Sequence, residues 1–111
     1  MVGTPYHRGR SREYQVLKLL RKEGWLCSRS AMSHGPIDVF AARNGQVRLI
    51  QVKSGTGRMS SDDKIQLKHW AKSFKAYGEL WLFRKGKIEK EILYSPRANL
   101  NRNGTDDFSY F

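Results

Sequence analysis

The segment PIDVFAARNGQVRLIQVK, residues 36–53, carries an acid, Asp38, an amide, Gln51, and a lysine, Lys53, in what reads as two strands around a tight turn. Asn44-Gly45 at its tip is the strongest short-range signal for a two-residue type I′ turn. That turn sets the pairing 43 with 46, 42 with 47 and on to 38 with 51. Asp38 and Gln51 are therefore expected directly opposite one another, with Cβ atoms about 4.5–5.5 Å apart. Side chains alternate along a strand, so Lys53 shares the face of Gln51 and lies diagonal to Asp38. Phe40 and Leu49 belong to that face, and Ile37, Val39, Ile50 and Val52 to the other. A sheet apolar on both faces is buried on both. The three polar groups thus sit at the end of a largely apolar surface.

A second acid comes from a helix. Val16, Leu17 and Leu20 form one stripe at about 100° per residue, and Glu13 falls near its middle, facing the sheet. Taken alone, an acid at a first helical turn is explained by the helix dipole. Beside an acid, an amide and a lysine clustered at a sheet edge, it becomes a candidate site residue. Like-signed acids are costly to bring together unless a cation lies between them. Oxygen donors of this kind suit Mg²⁺, with Mn²⁺ as a substitute.

The elements that must position these groups follow from periodicity and punctuation. The first eight residues read as a loose basic arm, and a helix is expected from about Arg10 to Glu23, stopped by Gly24. WLCSRS reads as a short strand and AMSHGP as a loop before the hairpin. After the flexible SGTGRMSS, Ser60 or Ser61 with Asp62 and Asp63 marks a helix start. Leu67, Trp70, Ala71, Phe74 and Tyr77 recur at helical spacing, which predicts a second helix up to Gly78. ELWLF and KIEKEILY make two strands around Lys85-Gly86, and residues 95–111 read as loop or tail. The order α-β-β-β-α-β-β predicts one α/β domain over residues 1–111 with a mixed central sheet.

The chain has 111 residues, and 21 Lys and Arg against 10 Asp and Glu give a formal charge of +11. Self-repulsion of that size on a small domain points to a polyanionic partner, nucleic acid before a membrane surface. Cys27 is the only cysteine, which excludes an internal disulfide and a multi-cysteine zinc site and fits a small apolar residue in a strand. MVGTPYHRGRSRE lacks the apolar core of a signal peptide, and no apolar run approaches membrane-spanning length. A cytoplasmic protein is expected. His7, His34 and His69 stand at no metal-ligand spacing, and Trp25, Trp70 and Trp81 fit core packing.

RGRSREYQVLKLLRKEGWLCSRSAMSHGPIDVFAARNGQVRLIQVK resembles the PD-(D/E)xK nuclease superfamily, and within it the archaeal-type Holliday junction resolvases. The shared run is a glycine, an acid four residues on, a helix, Gly-aromatic, Arg-Ser-Ala-x-Ser, the Asp strand and the x-Val-Lys strand. The similarity spans residues 8–94. It implies a restriction-endonuclease-like core and a homodimer that resolves four-way DNA junctions by paired, symmetric, metal-dependent nicks. Glu13, Asp38 and Lys53 correspond to the family's helix acid, strand acid and lysine. Arg29, Ser30 and Ser33 correspond to a loop near the scissile phosphate. This chain departs twice: the loop between Ser33 and Asp38 is one residue longer, and Gln51 replaces the second strand acid.

On that resemblance, Glu13, Asp38 and Gln51 hold Mg²⁺, while Lys53 positions the attacking water or offsets charge on the phosphate. Gln51 can offer its amide oxygen but brings no charge and cannot act as a base. Weaker metal binding and slower cleavage are expected, with activity retained. Arg8, Arg10 and Arg12 precede Glu13, Arg29, Arg58 and Lys64 flank the site, and His34 leads to Asp38; all are expected to contact DNA. A steep fall of affinity with salt follows. Two other functions fit the same residues: a nickase or repair-type nuclease on other branched or duplex DNA, and a junction-binding protein whose catalysis Gln51 has impaired.

Overall fold

The computed structural model describes residues 5–30 and 35–96, with the side chains of residues 5–10 excepted. Its elements run α1 (Pro5–Lys22), β1 (Leu26–Arg29), β2 (Val39–Arg43), β3 (Gln46–Ser54), α2 (Ser61–Phe74), β4 (Tyr77–Arg84) and β5 (Lys87–Tyr94). The strands form one sheet in the order β1-β2-β3-β4-β5. All neighbours are antiparallel except β3 and β4, which run parallel with α2 as their crossover. This is the expected α/β fold with a mixed sheet.

The helices cover opposite faces. Val16, Leu17 and Leu20 of α1 pack with Val39, Ala41, Ile50, Val52 and Trp81. Leu67 and Ala71 of α2 pack with Leu49, Leu80 and Ile37 on the other side. Gly78 lets α2 approach: a Cβ there would lie 3.2 Å from the Cβ of Ala71. The hairpin register is as the turn predicts, from Arg43↔Gln46 to Val39↔Ile50. Asn44 and Gly45 both have positive φ, 49° and 80°, as a type I′ turn demands.

Four expectations change. Helix α1 begins at Pro5, so part of the presumed arm is helical; proline suits a first helical position because it has no N–H to leave unpaired. Helix α2 stops at Phe74, where Lys75 takes the left-handed conformation (φ 56°) and donates its N–H back into the last turn. Tyr77 therefore opens β4 opposite Arg48 instead of extending the helical stripe. Trp70 and Phe74, expected in the core, are 45% and 49% exposed and stack on each other with ring centroids 6.0 Å apart. Ile37 precedes β2 and packs with Leu49, on the face opposite to the one alternation assigns it. The arm residues 1–4, part of the AMSHGP loop and the tail beyond 96 lie outside the described residues.

Candidate functional site

At the carboxyl end of β3, Glu13, Gly35, Asp38, Gln51, Val52, Lys53 and Asp63 line one open cavity of about 310 Å³. Local structure explains how Asp38 reaches it. The β2–β3 ladder ends at Val39↔Ile50, and Asp38 stands one step outside it. Its N–H donates to the Ile50 carbonyl (2.8 Å), and its own carbonyl accepts from the Ser30 N–H (2.8 Å). Its carboxylate accepts from the Val52 N–H at 2.7 Å, so a side chain takes over where main-chain pairing stops. The direct Asp38–Gln51 pairing expected from the turn is thus replaced by a slipped strand end. Both side chains still line the cavity.

Burial pushes the Asp38 carboxyl up to about 6, against a pull downward from the Val52 hydrogen bond. The Glu13 charge raises it further, while Lys53 and Arg29 lower it. Glu13, on α1, accepts a hydrogen bond from Arg29 Nε at 2.8 Å. The Arg29 guanidinium also lies over the Tyr14 ring, 5.1 Å from its centroid. Gln51 is only 4% exposed, and its Nε2 donates to the Pro36 carbonyl. A carbonyl accepts only from the amide nitrogen, so this contact fixes the amide and leaves its oxygen as the group available to a cation.

The fourth wall comes from α2. Ser60 caps this helix by accepting from the Asp63 N–H at 3.0 Å. Arg84 on β4 donates to the carbonyls of Gly55 and Gly57, the latter at 2.8 Å, and so holds the connection that leads to the cap. Asp63 is thereby held half-buried on the cavity wall. The sequence marks it only as an acid in a first helical turn; the added signal is its place at the third position after a serine cap.

The structure brings together Glu13, Asp38, Gln51 and Lys53, and links Arg29 to them through Glu13. Ser30 adjoins through the main chain of Asp38. Arg12 instead donates to Gln15 (3.1 Å) and lies over the Phe83 ring. Arg58 is exposed and Lys64 half-buried, and neither lines the cavity. The side chains of Arg8 and Arg10, and all of Ser33 and His34, lie outside the described residues. His69 is exposed on α2, and Trp25 and Trp81 are buried as expected. Among the described residues, no three His, Cys, Asp or Glu side chains close on one point as a preformed metal set. No helix there is long and apolar enough to cross a membrane.

The chain matches the family model of the archaeal Holliday junction resolvase (Hjc) over residues 4–109. No curated protein matches it. Among solved structures it is similar to Hjc of Archaeoglobus fulgidus, a Holliday junction resolvase from an archaeal hyperthermophile. That likeness has a TM-score of 0.69 at 24% identity, over 78% of this chain and 73% of that one. A second likeness, to the protein SSO0001, has a TM-score of 0.51 at 14% identity, over 95% of this chain and 63% of that one. Both likenesses bear on the fold, which is restriction-endonuclease-like.

Proposed function

Because the chain belongs to the archaeal Holliday junction resolvase family, we propose that it is a divalent-metal-dependent endonuclease that cuts four-way DNA junctions with paired, symmetric nicks. The observation that carries this reading is Asp38: an acid buried enough to be pushed up to about 6, held by a main-chain N–H, beside a second acid and a lysine. Nothing in the packing of the sheet requires such a cluster, and a phosphate would be repelled by it without a cation.

The donors fit Mg²⁺ or Mn²⁺. They are oxygens only, two carboxylates and an amide carbonyl, around an open cavity that leaves room for water. Asp38, Glu13 and the Gln51 oxygen would hold the ion. When bound, it supplies Lewis acidity toward a phosphate oxygen and a water of lowered pKa. The chain's own residues do the remainder. Val52 fixes the Asp38 carboxylate, Pro36 fixes the amide, and Lys53 places a positive charge where the phosphate gathers negative charge. Arg29 links Glu13 to the phosphate-contact loop that the family resemblance implies.

The +11 charge supports a DNA partner, with Arg8, Arg10, Arg12, Arg29, Arg58 and Lys64, and with Ser30, Ser33 and His34, as candidate backbone contacts. A homodimer is the assembly that two symmetric nicks require. What supports it here is the exposed Trp70–Phe74 stack on α2, an apolar surface that a second copy can cover.

Labelled four-way junctions and linear duplex, incubated with wild type and Asp38→Asn in Mg²⁺, Mn²⁺ or EDTA, test the reading. Paired nicks that need metal and vanish in Asp38→Asn are expected. Duplex cut as readily as junction defeats junction specificity. Binding without cutting in either metal makes the chain a binding protein whose Gln51 has ended catalysis.

A further inference from the structure

The proposed site is one carboxylate short on the sheet, and the cavity holds a spare. We propose that Asp63, from the first turn of α2, supplies the negative charge that Gln51 lacks; the inference rests on the metal-dependent reading above. Glu13, Asp38 and Lys53 together carry a charge of minus one. Asp63 brings the cavity to minus two, the total a glutamate at position 51 would have given without it.

Three observations carry this. First, the other two acids are already engaged. Glu13 is ion-paired with Arg29 at 2.8 Å and Asp38 accepts from Val52, whereas among the described residues the Asp63 carboxylate has no hydrogen bond or ion pair. Second, Gln51 is more than nine-tenths buried and lines the same cavity. Its nitrogen is taken by Pro36, and its oxygen has no donor among the described residues. That oxygen is not one of the fully buried unpartnered atoms, so it opens into the cavity, where a cation with its water shell can meet it. Third, Asp63 is held there by more than helix propensity: the Ser60 cap and the Arg84 contacts to Gly55 and Gly57 anchor the start of α2 at the cavity. Its neighbour Asp62 serves the helix dipole equally well but is exposed and does not line the cavity.

The three carboxylates line the cavity without closing on one point. Asp63 would therefore act across it, through the waters that a bound Mg²⁺ would retain, as a positioning residue and not part of a preformed cage.

The test is Mn²⁺ binding to the metal-free protein at neutral pH, read from the free-ion paramagnetic resonance signal, with circular dichroism to check folding. Asp63→Asn should weaken binding about fivefold, the order expected for one charge acting through water on a divalent ion. Asp62→Asn, the control for the helix dipole, should change it less than about twofold, since an exposed charge is screened. Asp38→Asn should abolish it. Asp63→Asn that binds as wild type does, while Asp38→Asn fails, overturns the role of Asp63 alone. A wild type that binds no Mn²⁺, or binds it regardless of Asp38, overturns the metal reading with it. Equal losses in Asp62→Asn and Asp63→Asn also overturn the proposal, because they assign the effect to the helix.

Discussion

Strand β3 carries two charged clusters, and they are built on opposite principles. Toward its start, Arg48 pairs with Glu79 of β4 through two hydrogen bonds of 2.6 and 2.8 Å, and both are fully buried. Trp81 donates its Nε1–H to the same carboxylate at 2.9 Å, and the Arg48 guanidinium lies 4.7 Å from the centroid of the Trp25 ring. Charge there is balanced and sealed by aromatic walls. At the far end of the strand, Gln51 and Lys53 face Glu13, Asp38 and Asp63 around an open cavity whose acids outnumber its lysine. A balanced, closed pair serves the fold; an unbalanced, open cluster serves a ligand.

Breaking the closed pair should have the largest effect. Glu79→Ala leaves Arg48 buried without its counter-charge and should cost about 3–5 kcal/mol in urea denaturation. A loss under 1 kcal/mol would mean that the pair is hydrated and not sealed. The open cluster should respond with the opposite sign. Asp38 binds its proton more tightly in the folded chain, with its carboxyl near 6 against an ordinary value near 3.8. Its favourable contribution is therefore present below about pH 4 and is lost as pH rises through about 6. Without metal, Asp38→Asn should stabilise the protein by roughly 1–3 kcal/mol at pH 7, and the gain should fade toward pH 4. A gain independent of pH would remove ionisation as its cause.

Smaller effects sharpen the contrast. Gln51→Glu removes the donor to Pro36 and sets a carboxylate against that carbonyl. It should cost about 1–3 kcal/mol without metal, while tightening Mn²⁺ binding measured in parallel. Unchanged stability would show that the Pro36 contact matters little. Arg29→Gln breaks a half-buried ion pair with Glu13 and should change stability by less than about 1 kcal/mol. Its larger effect should fall on junction affinity, read by gel shift at several salt concentrations.

Local chemistry was legible in the sequence because neighbours in the chain decide it. Asn44-Gly45 fixed the turn and hence the register, Ser60 or Ser61 marked the start of α2, with Ser60 proving to be the cap, and Glu13 pointed toward the sheet. What escaped depends on contacts made across the fold. The helical spacing of Phe74 and Tyr77 continues past the true end of α2, because pairing of Tyr77 with Arg48 in the parallel ladder wins over the stripe. The slipped strand end at Asp38 reflects a choice between main-chain and side-chain acceptors for Val52, which no periodicity encodes. Asp63 looked like an ordinary helix-start acid because its second surroundings, the cavity, form only when β3, α1 and α2 meet.

The claim that the open end of β3 is charged for a cation is tested most directly by thermal melts of wild type and Asp38→Asn at pH 7, with and without Mg²⁺. The wild type should melt below Asp38→Asn without metal and rise on adding Mg²⁺, while Asp38→Asn stays where it was. A wild type that melts above Asp38→Asn without metal, or equal shifts in both proteins on adding Mg²⁺, would contradict it.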